Sequence, residues 1–319
     1  MARFPIHTKL LPSVIAAHKA AAKAIANITP PDPFDVAANR EAYCRERRFW
    51  QGDGPDLASV TDIAIPSHEG TVRTRFYRPI ANATLPVIVY CHGGGWYLGD
   101  LETHDRLCRR LAKQSGAAVA AVDYRLAPEH KHPAQINDAR AVLRHLRTEG
   151  AQYHIDGTRM AAVGDSAGAH CVLASALTDR NDGLPPLRAL ALFYGYFGLA
   201  DGRSYRLYGG PEDGLSAEDM DHMLTLTLAT REARSAPDFN LLRQSMKGLP
   251  PTRVIEAELD PLADDSAALA TLINAEGGTA EHIMVAGVPH AFIMWDKLVP
   301  EAAAEIDRTA AFLADHLKV

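Results

Sequence analysis

The 319-residue chain is 47% hydrophobic and 23% charged, enough apolar content for one large core or two modest ones and without bias towards disorder. A formal net charge of -6 excludes the basic surface a nucleic-acid binder needs to displace counterions from phosphates. Four cysteines, Cys44, Cys91, Cys108 and Cys171, are too few and too widely spaced for a disulfide framework, and no C-x-x-C pair is present for zinc or redox work, so free thiols in a reducing cytoplasm are expected.

Arg3 and Lys9 precede the apolar stretch LLPSVIAA, which imitates the start of a secretory signal. Pro12 interrupts that stretch and His18, Lys19 and Lys23 follow it, so an amphipathic helix is expected; no segment is long enough to span a membrane. After the proline cluster TPPDPF comes a charged helix candidate, NREAYCRERRFW, and residues 1–50 together read as an accessory segment. VTDIAIPS and VRTRFYRP, separated by HEG, read as a β-hairpin.

From LPVIVYCHG onwards, apolar runs alternate with amphipathic stretches. DRLCRRLAKQ, INDARAVLRHLR, SAALATLINAEGG and EAAAEIDRTAAFLADHL have helical spacing, whereas AAVAAVDY, RMAAVGD and ALALFYG are apolar runs of the kind buried on both faces, and TRVIEAELD and EHIMVAG continue the alternation as further strands. The fold class expected is α/β, with a mostly parallel sheet flanked by helices. Between Tyr196 and Gly248 this rhythm breaks: there are helical pieces and no strand. Residues 196–247 are therefore expected to form, with residues 1–50, a helical cap over a core built from 51–195 and 248–319.

GDSAG, residues 164–168, stands where the strand RMAAVGD gives way to the small-residue run AHCVLASAL. Small neighbours let a chain turn sharply enough to project a serine above a sheet, the nucleophile elbow. The motif alone arises by chance in about one chain of this length in ten, so its partners must decide. A serine hydroxyl is a poor nucleophile at neutral pH and needs a histidine to take its proton and a carboxylate to orient that histidine. Asp260 closes TRVIEAELD at a carboxyl edge, and His290, in GVPHAF, follows the next strand, which is the order Ser, Asp, His. Asp264, Asp265 and Glu258 compete with Asp260 for the acid's place. The reaction also creates an oxyanion, and the glycines of HGGGW, after LPVIVY, allow close backbone approach to one; Ala167, directly after Ser166, adds an N–H at a helix N-terminus.

HGGGW, DYRLAPEH, GDSAG, ELDPLADD and HAF, in this order and spacing, resemble the hormone-sensitive-lipase family of α/β-hydrolases from about Val60 to the C-terminus. LGDLETHDRLCRRLA, YGYFGL and YRLYGGPEDGLSAEDM are similar to the bacterial acetyl esterases within it. The resemblance implies the α/β-hydrolase fold, Ser166 as nucleophile, His290 as base and then acid, Asp260 as its orienter, and an oxyanion hole at Gly94, Gly95 and Ala167 with Gly93 beside them. It further implies a bracing role for His92, support of the elbow or oxyanion loop by Asp165, and structural roles for Asp123, Tyr124, Arg125 and Glu129. Ser266 departs from the family, which often has a glutamate there.

No cofactor or metal is expected: His130 and His132 are two apart, and no H-E-x-x-H, P-loop or strand-borne G-x-G-x-x-G occurs. Trp96, Tyr196 and Tyr208 are expected to restrict an acyl site to acetyl through hexanoyl groups. An amidase or acyltransferase would use the same triad, and a non-catalytic ligand-binding protein could use the same scaffold. Related esterases add the expectation of a homodimer through the last strand and helix.

Overall fold

The computed structural model describes residues 5–24, 26, 32, 34–199, 201–210 and 214–318. Apart from Asp32 and Phe34, the proline cluster TPPDPF lies outside the described residues, as does the PED of the cap insertion.

Its centre is an eight-stranded sheet of order β1-β2-β4-β3-β5-β6-β7-β8. The hairpin β1 (Ser59–Ser67) and β2 (Gly70–Arg78) is antiparallel, as HEG predicts, and β2 also runs antiparallel to β4 (Ala118–Val122). The remainder is parallel: β3 (Leu85–Cys91), β4, β5 (Ile155–Asp165), β6 (Ala189–Phe193), β7 (Thr252–Leu259) and β8 (Ala280–Pro289).

Period-2 alternation sorts the sheet's side chains into two cores. Val87, Val89, Ala162, Leu190 and Val254 face one side, where α4 (Ala134–Glu149), α5 (Ala167–Asn181) and α8 (Ala263–Ala275) cover them. Ile88, Tyr90, Val163, Ala191 and Ile255 face the other, under α3 (Asp105–Ser115) and α9 (Pro300–Leu317). This double burial explains why β3, β4 and β6 read as continuous apolar runs.

The strand order reverses at β3: the chain leaves it for β4 on one side, and β5 lies on the other. A crevice opens at the carboxyl ends of an open α/β sheet where the order reverses. HGGGW follows β3 and Ser166 follows β5, so both motifs face that crevice.

The N-terminal stretch forms α1 (Pro12–Ala24) and α2 (Val36–Gln51). Pro12 does not interrupt α1 but opens it, because the first helical position has no N–H bond to lose. Asp35 caps α2 by accepting from the Ala38 N–H, and Arg40 ties the helix to the core through Tyr97 O, Ala127 O and the Glu129 carboxylate. After β6 come α6 (Arg203–Tyr208) and α7 (Ala217–Thr227), the latter started by a Ser216–Asp219 capping box. Among the described residues no helix is long and apolar enough to cross a membrane.

Candidate active site

The GDSAG turn shows why its neighbours must be glycine. Ser166 has φ 53 and ψ -120, a left-handed strained conformation that a non-glycine residue holds only when its surroundings impose it. The turn is tight enough that a Cβ on Gly164 would overlap the Gly168 carbonyl, and one on Gly168 would overlap the carbonyls of Cys91 and His92. The Ser166 N–H donates to Phe193 O at 2.8 Å and locks the turn to β6. Gly168→Val should therefore cost about 3 kcal/mol or more of stability, because backbone and not a flexible side chain fills the space. Chemical denaturation measures this, and a variant as stable as the parent would refute the packing account.

Ser166 Oγ lies 2.9 Å from His290 Nε2, and His290 Nδ1 lies 2.7 Å from Asp260 Oδ2. Residues 124 and 30 positions apart in the chain thus meet above the sheet. Asp260 is wholly buried, and its second oxygen accepts the Leu262 N–H at 2.8 Å. The competing acids are engaged elsewhere. Asp264 accepts from the Ser204 N–H, Glu258 from the Gly287 N–H, and Asp265 from the amides of Phe197, Gly198 and Leu199. Burial raises Asp265 to about 7 despite those three amides.

The three glycines after β3 have different tasks. Gly93 donates its N–H to Asp165 Oδ1 at 2.8 Å, so it is not a free donor, and the expectation that it joins the oxyanion hole is corrected. Gly94 and Gly95 line the cavity above Ser166, as does Ala167 at the start of α5. Gly94 has φ +122, and a Cβ there would strike the Leu98 carbonyl, so the loop requires glycine.

Beneath the loop, Asp165 Oδ1 also accepts the Tyr90 hydroxyl at 2.5 Å and faces His104 Nε2 at 3.5 Å. Burial opposes its charge, yet His104, Tyr90 and the Gly93 N–H overcome this and hold the carboxyl at about 2. It stays ionised as the anchor of the glycine loop after β3. His92 braces the same loop, with Nδ1 2.8 Å from Gly93 O and its ring stacked on Tyr124 at 4.2 Å; burial, reinforced by His104, lowers it to about 4, so the imidazole is neutral. Tyr124 donates to His92 O, Arg125 pairs with Asp138, Asp123 with Arg73 and Glu129 with Arg40, the structural roles expected of DYRLAPEH.

The cavity over Ser166 has a volume of about 130 Å³. Trp96 and Tyr196 line it, their rings in edge contact at 5.7 Å. Tyr208 does not: it ends α6, which packs on α8, and Leu215, Met220, Met223 and Leu224 supply that wall instead. Sequence reasoning missed these residues, and it also missed Tyr43 and Arg47, which α2 brings into the lining. A signal was present, because Tyr43, Arg47 and Trp50 are spaced i, i+4, i+7 along one helix face.

A serine, a histidine and a carboxylate in this hydrogen-bonded series, with Gly94, Gly95 and Ala167 lining the same cavity, can perform nucleophilic acyl transfer. Residues 88–294 match the α/β-hydrolase fold family. The chain is 37% identical over 296 residues to an acetyl esterase of Salmonella choleraesuis, covering 91% of this chain and 90% of that one. Two solved structures are similar throughout. The hyperthermophilic esterase from the archaeon Pyrobaculum calidifontis has a TM-score of 0.91 at 32% identity, covering 96% of this chain and 98% of that one. A thermostable carboxylesterase cloned from a metagenomic library has a TM-score of 0.87 at 31% identity, covering 89% and 98%. The chain belongs to the α/β-hydrolases, in their hormone-sensitive-lipase branch. It is a carboxylic ester hydrolase and not a binding protein on that scaffold.

Proposed function

We propose that the protein is a serine carboxylesterase for short-chain acyl esters, acetyl to hexanoyl, working through an acyl-enzyme. The observation that carries this reading is the unbroken hydrogen-bond series Ser166, His290, Asp260 opening into a small cavity. Ser166 Oγ attacks the ester carbonyl as His290 Nε2 takes its proton, and Asp260 holds the imidazole with Nε2 free to accept. The N–H groups of Gly94, Gly95 and Ala167 stabilise the oxyanion, Ala167 with the dipole of α5 behind it. His290 then protonates the departing alcohol, and water activated by the same nitrogen releases the acid.

The short-chain preference is supported by the cavity's size and by the aromatic pair Trp96 and Tyr196 in its wall. The Salmonella relative is named for an acetyl ester activity, which agrees with it. In this reading residues 1–50 and 196–247 act as one cap over the core. Its partners are small esters and not nucleic acid, and its free cysteines, three of them buried, suit the cytoplasm. A homodimer through β8 and α9 would cover the open edge of β8, where Met284 is exposed.

The test is hydrolysis of the p-nitrophenyl acetate, butyrate, hexanoate, octanoate and palmitate series. kcat/KM should be highest among the short chains and fall steeply at octanoate. Replacing Trp96 and Tyr196 together by alanine should move the optimum to longer chains by removing the ring pair from the wall. An optimum at palmitate in the parent, or an unchanged optimum in the double variant, would reject the short-chain assignment.

A further inference from the structure

Arg47 is an expensive residue in its position. It is 8% exposed, it lines the cavity that holds Ser166 and His290, and its Nε and Nη1 have no hydrogen-bond acceptor. Guanidinium N–H groups that are buried without an acceptor carry a desolvation cost, so proteins keep them where something completes their bonding. The guanidinium is held in place by stacking at 4.8 Å on the Tyr43 ring. Two carboxylates are close, and neither completes it. Glu46 Oε2 reaches 3.4 Å from Nε without hydrogen-bond geometry, while Glu46 Oε1 takes the Trp50 indole N–H. Asp165 is engaged with Gly93 and Tyr90. Burial also keeps Tyr43 protonated, raised to about 12, so the phenol brings no negative charge. Among the described residues lining the cavity, Arg47 is the only arginine or lysine.

We propose that Arg47 is a substrate-recognition residue, and that the preferred esters carry a free carboxylate which the guanidinium fork binds while Ser166 attacks the ester carbonyl. This rests on the esterase reading of the cavity and narrows its substrate class to esters of dicarboxylic acids or acylated hydroxy acids. Arginine presents a rigid planar fork that fits a carboxylate in two parallel bonds, which lysine does not. In a cavity walled by Leu215, Met220, Met223 and Leu224, such a bond is little screened by water.

The test compares kcat/KM, followed by acid release, for two matched pairs: monoethyl against diethyl succinate, with the charge in the acid half, and 2-acetoxypropanoate against its ethyl ester, with the charge in the alcohol half. In Arg47→Gln the charged-to-neutral ratio should fall by about tenfold or more in at least one pair, with Arg47→Lys between it and the parent. The pair that responds identifies the half carrying the carboxylate. An arginine that merely held α2 in place would slow both members of each pair alike, so unchanged ratios in both pairs overturn the proposal. So does a parent enzyme that hydrolyses neither charged ester. Calorimetric titration of monoethyl succinate and of 2-acetoxypropanoate into the Ser166→Ala protein needs no arginine variant to fold; binding of either is expected, and no binding of either also overturns it. Ser166→Ala retaining hydrolysis would instead refute the serine-nucleophile mechanism on which the proposal rests, which separates the two failures.

Discussion

Ser166→Ala should lower kcat on p-nitrophenyl acetate by about 10^4- to 10^6-fold while leaving the fold intact. Ser166 Oγ lies 2.9 Å from His290 Nε2, so in the proposed mechanism its removal deletes the covalent path and not a binding contact. In the same mechanism, what remains is catalysis by the proposed oxyanion donors acting on water. The strained φ of 53 at this position is imposed by the strand-to-helix turn, and alanine fits the same space, so circular dichroism and melting temperature should stay close to the parent values. Turnover within an order of magnitude of the parent would mean that another residue carries the nucleophile's role.

The second large effect concerns the acid. Asp260→Asn should reduce kcat by about 10^3- to 10^4-fold with little change in KM. Its carboxylate faces His290 Nδ1 at 2.7 Å and keeps the ring's proton there, leaving Nε2 able to accept from Ser166. An asparagine amide can turn its NH2 to Nδ1, which moves the ring proton to Nε2, and a protonated Nε2 cannot serve as base. Asp264→Asn provides the contrast, because that carboxylate serves the Ser204 N–H, and its loss should leave turnover close to the parent's. Equal losses in the two variants, measured by steady-state kinetics on the acetate ester, would reject Asp260 as the orienting group.

Much of this was legible from residue order, for local reasons. Strand runs such as LPVIVY and ALALF are apolar throughout because helices cover both faces of a parallel sheet, and that pattern survives in one dimension. Ser166, Asp260 and His290 each directly follow or closely trail a strand, so chain order already set them at the carboxyl edge. The acid was harder to read, since Glu258, Asp264 and Asp265 crowd within a few residues of Asp260 and differ only in where their side chains point.

The sequence by itself determined the α/β class, the positions of the strands and the serine between glycines, because periodicity and the steric limits on Cβ act over a few residues. Only the tertiary structure decided that Gly93 spends its N–H on Asp165, that Tyr208 lies outside the cavity, that Asp260 and not its neighbours meets His290, and that Arg47 reaches the site from α2. The physical reason is common to all four. Each is settled by which hydrogen-bond or packing partner a side chain or amide finds, and those partners come from segments far away in the chain whose spacing no local pattern records.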